Sequence, residues 1–260
     1  MLRSLAVAIS TYSKIPVPNF NWEEKDMEYS MVFFPVIGIF VGIAQYFLCL
    51  FCSSFQVGKI LFAVLVTVLP LLITGGIHFD GYLDVCDAKS SYASKEKKLE
   101  ILKDPHIGAF AIIHGIIYVL INFGVWVEII EKTEGITKES KNFYLLLMMV
   151  YIISRILSGL SVVSFKKAKA GGMVSTMAKA QNKKVLWVLI GELMLALVLT
   201  FFYFKLQAFI LWIPMGIAFI YYRLMSTKEF GGITGDLAGY FLQTAELFTL
   251  IVACVILLIF

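Results

Sequence analysis

The sequence predicts an all-α fold, a polytopic membrane bundle of about seven spanning helices, with six to eight compatible with the pattern. Three observations predict it. Hydrophobic residues fill 60% of the 260 positions and the mean hydropathy is +0.86, against an apolar share of about 45–50% in soluble domains. Charged residues make up 15%, well under the usual share of about 25%. The apolar residues also fall into runs near the roughly 20 residues needed to cross a hydrocarbon core of about 30 Å.

The first run, 31–50, carries Gly38 and Gly42 at a four-residue step that suits close helix contact. The second, 58–77, ends on Gly75-Gly76. The third, 107–127, follows Asp104-Pro105, which reads as an N-cap acid and a proline at the first helical position. The fourth, 143–164, holds Arg155. The fifth and sixth, 185–204 and 207–222, are separated only by Lys205-Leu206-Gln207, so a tight hairpin would join them; the sixth is short and contains Pro214. The seventh, 239–260, contains Glu246. One membrane domain over residues 1–260 is the simplest organisation, since no internal repeat or low-complexity linker divides it.

Lys and Arg set the orientation, because short cytoplasmic connections retain positive charge. Segments 1–30, 78–106, 165–184 and 223–238 carry 16 of them, while the connections on the other side carry 5. The N-terminus is therefore expected in the cytoplasm, on the same face as nearly all the unusual polar sequence. The net charge of +4 does not suggest a nucleic-acid partner; the lipid bilayer is the expected one. Cys49, Cys52, Cys86 and Cys254 form no disulfide framework, and the Cys49-x-x-Cys52 pair reads as apolar packing. No secretory leader is expected, because the apolar run from Leu5 to Ile9 is short and Lys14, Pro16 and Pro18 follow it.

Four polar blocks could carry chemistry. In the first, Gly75-Gly76-Ile-His78-Phe-Asp80-Gly81-Tyr-Leu-Asp84-Val-Cys-Asp87, the glycines permit a bend. On a helix the three acids would share an arc of about 60°. Their mutual repulsion calls for a cation, and hard oxygen ligands suit Mg²⁺ or Mn²⁺. His78 is a candidate base, since imidazole titrates near neutrality. The second block supplies Lys103 and Asp104, with Lys103 a candidate phosphate contact. The third, Lys166-Lys167-Ala-Lys169-Ala-Gly171-Gly172, lies beyond Arg155, an intramembrane cation that needs a polar interior or a partner acid. The fourth is Gly231-Gly232-Ile-Thr234-Gly235-Asp236, followed by Gly239. Its four-residue glycine step leaves a groove, and Glu246 lies further along. A carboxylate at Glu246 should pair with a cation such as Arg155, bind metal or be protonated. His114 and Glu192 read as packing elements.

These blocks, in this order, together with Lys14-Ile-Pro-Val-Pro18 and Phe34-Pro-Val-Ile-Gly38, resemble the cobalamin synthase family across nearly the whole chain. The third block departs from the family pattern, having lost its glutamate. The resemblance implies a multi-pass enzyme of a prokaryotic cytoplasmic (inner) membrane. Its substrates would be adenosylcobinamide-GDP and α-ribazole or α-ribazole 5′-phosphate, with release of GMP and a requirement for Mg²⁺. For that reaction Asp80, Asp84 and Asp87 are expected to hold the metal on the pyrophosphate, with Asp236 as a further metal ligand or the general base, His78 as a second candidate base, and Lys103 and Arg155 on phosphate. Gly75, Gly76, Asp104, Lys167, Gly171, Gly172, Gly232, Thr234, Gly235 and Glu246 would line the substrates. A homo-oligomer is compatible with this reading. A CDP-alcohol-type phosphotransferase is the near rival, though its Ala-Arg does not follow Asp80-Gly81. A transporter or channel is the rival of another class, but its polar groups are expected near the bilayer midplane.

Overall fold

The computed structural model describes residues 1–18, 21–27, 29–168 and 183–259. Among the described residues the regular structure is helical, apart from one isolated bridge between Lys167 and Ile233. Helices α1 (Leu2–Tyr12) and α2 (Glu24–Met27) precede a 3₁₀ turn at Ser30–Phe33, which runs into α3 (Phe34–Ser54). Then come α4 (Lys59–Thr74), α5 (Ile77–Ser90), α6 (Lys95–Ile101), α7 (Ala109–Lys132) and α8 (Lys138–Ser164). The chain continues with α9 (Lys183–Phe204), α10 (Phe209–Phe230) and α11 (Gly235–Ile259).

The long helices turn Phe47, Leu120, Leu195, Phe202 and Ile220 outward, an arrangement suited to lipid. Five stretches are long and apolar enough to cross a membrane, or six if the bent pair α4–α5 counts as one. This is a multi-pass helical membrane protein. The seven-span count divides one of those stretches, residues 184–230, and the chain does break there. Lys205 is left-handed at φ 52°, and Trp212 Nε1 donates to Thr200 Oγ1 at 2.8 Å. A continuous helix would hold those two residues about 18 Å apart, so the chain folds back as the short Lys205-Leu206-Gln207 connection predicts.

Packing follows the small residues. Helices α3 and α8 approach so closely at Gly38 that a Cβ there would lie 2.3 Å from the Tyr151 carbonyl oxygen. Pro70 inside α4 has no N–H for the Val66 carbonyl. Gln45 Nε2 of α3 donates to that oxygen at 2.9 Å, which satisfies a group that lipid would leave unpaired. All four cysteines are free and buried, as expected.

The decisive local event is at the end of α4. Gly75 and Gly76 both adopt left-handed backbone, φ 64° and 75°, which favours glycine. The chain turns 96° there into α5. With 14 residues, or about 21 Å of helix, α5 is too short to span alone, and it packs along α7 and α11, from Phe79 against Tyr118 to Asp87 against Gly108. The expected span 58–77 thus stops at Thr74. The helix start expected at Asp104-Pro105 is a correction: α7 begins at Ala109 with Gly108 as its N-cap. Asp104 closes a local turn instead, accepting the His106 backbone N–H at 3.0 Å.

Candidate active site

Helix α5 presents Asp80, Asp84 and Asp87 in the register the spacing predicts, and α11 supplies the fourth acid. The two helices cross on a glycine seam. A Cβ at Gly81 would lie 2.8 Å from the Asp236 Cα, and one at Gly239 would lie 2.8 Å from the His78 carbonyl oxygen. Only the missing side chains allow this backbone contact, and it sets Asp236 beside the α5 acids. Thr234 fixes the start of α11, since its Oγ1 accepts the Leu237 N–H at 3.2 Å and lies 3.4 Å from Asp236 Oδ2.

The other blocks meet at this end of the bundle. A Cβ at Gly108 would come within 2.1 Å of Asp87 Oδ1, so the connection into α7 lies against the acid helix. The third and fourth blocks are tied to each other: Ile233 N–H donates to the Lys166 carbonyl at 2.8 Å, and Ala168 N–H donates to the Ile233 carbonyl at 3.1 Å. Gly232 is closed down on the Lys167 backbone. Lys98 of α6 pairs with Glu229 at the end of α10 at 2.5 Å. At the opposite end Lys59 pairs with Glu131 at 2.7 Å.

Charge at the acid cluster is unbalanced. Burial, then the charges of Asp80, Asp236 and Asp87, push the Asp84 carboxyl up to about 6. Among the described residues, none of these four acids makes an ion pair with Lys or Arg. The donor set therefore has the chemistry a hard divalent cation requires. Among the described residues, however, no three His, Cys, Asp or Glu side chains stand close enough together to hold one metal ion.

Several predicted site residues lie elsewhere. His78 is on α5 but about 160° around the helix from Asp80. Its ring is buried against Tyr12 and Phe34, at centroid distances of 5.9 and 5.6 Å, and among the described residues neither ring nitrogen has a partner. The structure does not bring it to the acids. Arg155 is buried and paired: its Nη1 donates to Glu246 Oε1 at 2.5 Å, to Ser154 Oγ at 3.1 Å and to the Tyr151 carbonyl at 3.0 Å. Of the options open to Glu246, pairing with Arg155 is the one found. Lys167 turns inward and donates to the carbonyls of Val162 and Phe165 at the end of α8; burial pushes its ammonium down to about 8. Lys103 is exposed on the loop before α7, as is Asp104, whose carboxyl the His106 N–H and ring hold below the usual range. Gly171 and Gly172 lie outside the described residues.

A cavity of about 30 Å³ lies deeper, between α4, α7, α8 and α11, with Thr67, Asn122, Gln243 and Glu246 among its lining residues. It is far below the roughly 300 Å³ of an organic-ligand pocket and has room for about two waters. Sequence reasoning missed Gly81 and Gly108, whose roles depend on partners remote in the chain. It also missed Lys14, noted there only within a motif.

Residues 4–254 match the family model described as cobalamin-5-phosphate synthase. The chain belongs to the cobalamin-5-phosphate synthase family. A Lachnoclostridium phytofermentans protein named adenosylcobinamide-GDP ribazoletransferase is 43% identical over 250 residues, 95% of this chain and 91% of that one. Proteins of the same name from Clostridium perfringens, 30% identical over 94% of both chains, and Clostridium botulinum, 32% identical over 98% of both, are similar along their whole length. No solved structure matches. This synthase-family chain is a transferase of cobalamin biosynthesis, and the glycine seam makes its active site testable. Gly81→Ala is expected to push α5 from α11 and lower turnover by about a hundredfold, the cost of an ångström-scale misplacement. Wild-type turnover in that variant would remove the seam from the account.

Proposed function

We propose that the chain joins adenosylcobinamide-GDP to α-ribazole or its 5′-phosphate, releasing GMP and forming adenosylcobalamin or its 5′-phosphate. The observation that carries the reading is the grouping of Asp80, Asp84, Asp87 and Asp236 at one end of the bundle, in a chain whose full-length relatives are named for this transfer. That end, with the N-terminus, is assigned to the cytoplasmic face of the inner membrane, on the strength of its excess of Lys and Arg.

The transfer makes one O–P bond and breaks another. A ribose hydroxyl oxygen attacks the cobinamide-side phosphorus, the bond to the bridging oxygen breaks, and GMP leaves with that oxygen. Asp236 would take the hydroxyl proton, held in place by Thr234 and the seam at Gly81. A divalent cation of the Mg²⁺ or Mn²⁺ class, held by Asp80, Asp84 and Asp87, would supply charge neutralisation on the pyrophosphate. Lys103 would reach phosphate from the loop before α7. Gly75, Gly76, Gly232 and Gly235 would let substrate approach the backbone, while Lys167 shapes its loop by capping α8. Arg155 and Glu246 would act on the helices that carry the site, because each occupies the other within the bundle.

The test incubates purified protein with adenosylcobinamide-GDP, α-ribazole and Mg²⁺, and follows corrinoid product by mass and GMP by chromatography. Stoichiometric product and GMP, abolished by chelator and restored by Mg²⁺ or Mn²⁺, are expected. Folded protein that forms neither would overturn the reading.

A further inference from the structure

A site that binds a pyrophosphate beside four carboxylates needs cations of its own, and several of the basic side chains near it are already engaged. Arg155 is held by Glu246, Lys98 by Glu229, and Lys167 by helix-end carbonyls. Lys89 donates to the hydroxyls of Tyr221 and Tyr240 at 2.8 and 3.1 Å.

Lys14 differs from all of these. Its backbone N–H donates to the Ile73 carbonyl at 2.8 Å, in the last turn of α4. Its alkyl chain lies in the gap left by the missing side chain of Gly75: a Cβ there would come within 2.4 Å of Lys14 Cε and 2.8 Å of its Cγ. The residue is exposed, and among the described residues its ammonium has no ion-pair partner. Backbone and stem are thus both fixed on the bend that starts α5, and Asp80 lies one turn further on. A lysine held this way loses little freedom when it binds an anion.

We propose that Lys14 is a further substrate-binding residue, its ammonium carried across the Gly75–Gly76 bend to pair with a phosphate of the nucleoside-diphosphate substrate. Gly75 then has a second role besides turning the chain: it is the trough in which the lysine stem lies. The inference rests on the function proposed above and adds the group that offsets the cluster's negative charge where the substrate enters.

The test compares steady-state kinetics of the full chain in proteoliposomes with those of Lys14→Ala and Lys14→Arg. Corrin absorbance in the absence of α-ribazole gives a direct titration of adenosylcobinamide-GDP binding. Lys14→Ala is expected to raise both KM and Kd for adenosylcobinamide-GDP about tenfold to a hundredfold, the loss of one hydrogen bond to a charged group. Its kcat and its KM for α-ribazole should stay within about threefold of wild type, the signature of lost uniform binding. Lys14→Arg should recover most of the affinity. Wild-type affinity in Lys14→Ala would overturn the assignment, as would a lowered melting temperature with equal losses toward both substrates. If the wild-type protein itself made no product, the proposed function would fail, while the titration would still report whether Lys14 binds the nucleotide-linked substrate.

Discussion

Replacing Asp84 by Asn is expected to lower turnover by about 10²–10³-fold while raising the thermal stability of the protein freed of divalent cations. Both effects have one cause. Asp84 is half-buried among Asp80, Asp87 and Asp236, and its carboxyl is pushed up by burial and by those charges. Without a cation the carboxylate costs folding energy, and Asn removes the charge at nearly constant shape. With Mg²⁺ present the order should reverse, because a cation that binds the native state adds stability in proportion to its affinity. The measurement pairs GMP release with melting curves in chelator and in Mg²⁺, for Asp84→Asn and for Asp80→Ala and Asp236→Ala. If all three variants keep near-wild-type turnover, the carboxylates are not the reaction centre. A drop in the chelator melting temperature of Asp84→Asn would contradict the repulsion on its own, whatever the kinetics showed.

The second large effect concerns stability. Arg155, 1% exposed, and Glu246, 8% exposed, face each other inside the bundle. Removing either leaves the other charge buried without its partner, which costs about 3–5 kcal/mol. Arg155→Ala and Glu246→Ala should each unfold well below the wild type in mild detergent. The Arg155→Met/Glu246→Leu double variant should recover much of the loss, since neither charge then remains. A double-mutant cycle reads the coupling directly; additive single effects would mean that the pair does not hold α8 to α11. Activity should follow the folded fraction, since Asp236 lies ten residues before Glu246 on the same helix, about 15 Å along its axis.

The acid register of α5 is legible in the sequence because four- and three-residue steps return to one helix face. The bend is legible because two adjacent glycines follow an apolar run. The hairpin at Lys205 is legible from the shortness of the connection. What stays hidden is which groups meet across the bundle. Arg155 and Glu246 each stand out as costly intramembrane charges, yet a phosphate role for Arg155 is equally consistent until α8 is seen against α11. His78 stands two residues from Asp80 in the chain, and that nearness misleads, since two residues on a helix point almost opposite ways. Gly81 and Gly108 carry no sequence signal of their partners, although one seats Asp236 and the other meets the Asp87 carboxylate. Asp104-Pro105 has the form of a helix start, but the nearby His106 N–H takes up the carboxylate first.

The seam at Gly81 also orders events during synthesis. Helix α5 leaves the ribosome long before α11, and until α11 is inserted the Gly81 face has no backbone to close on. A stalled or truncated nascent chain would therefore carry the α5 carboxylates without Asp236 beside them. The four-acid cluster is thus a late product of insertion, completed when the helix bearing Gly239 docks.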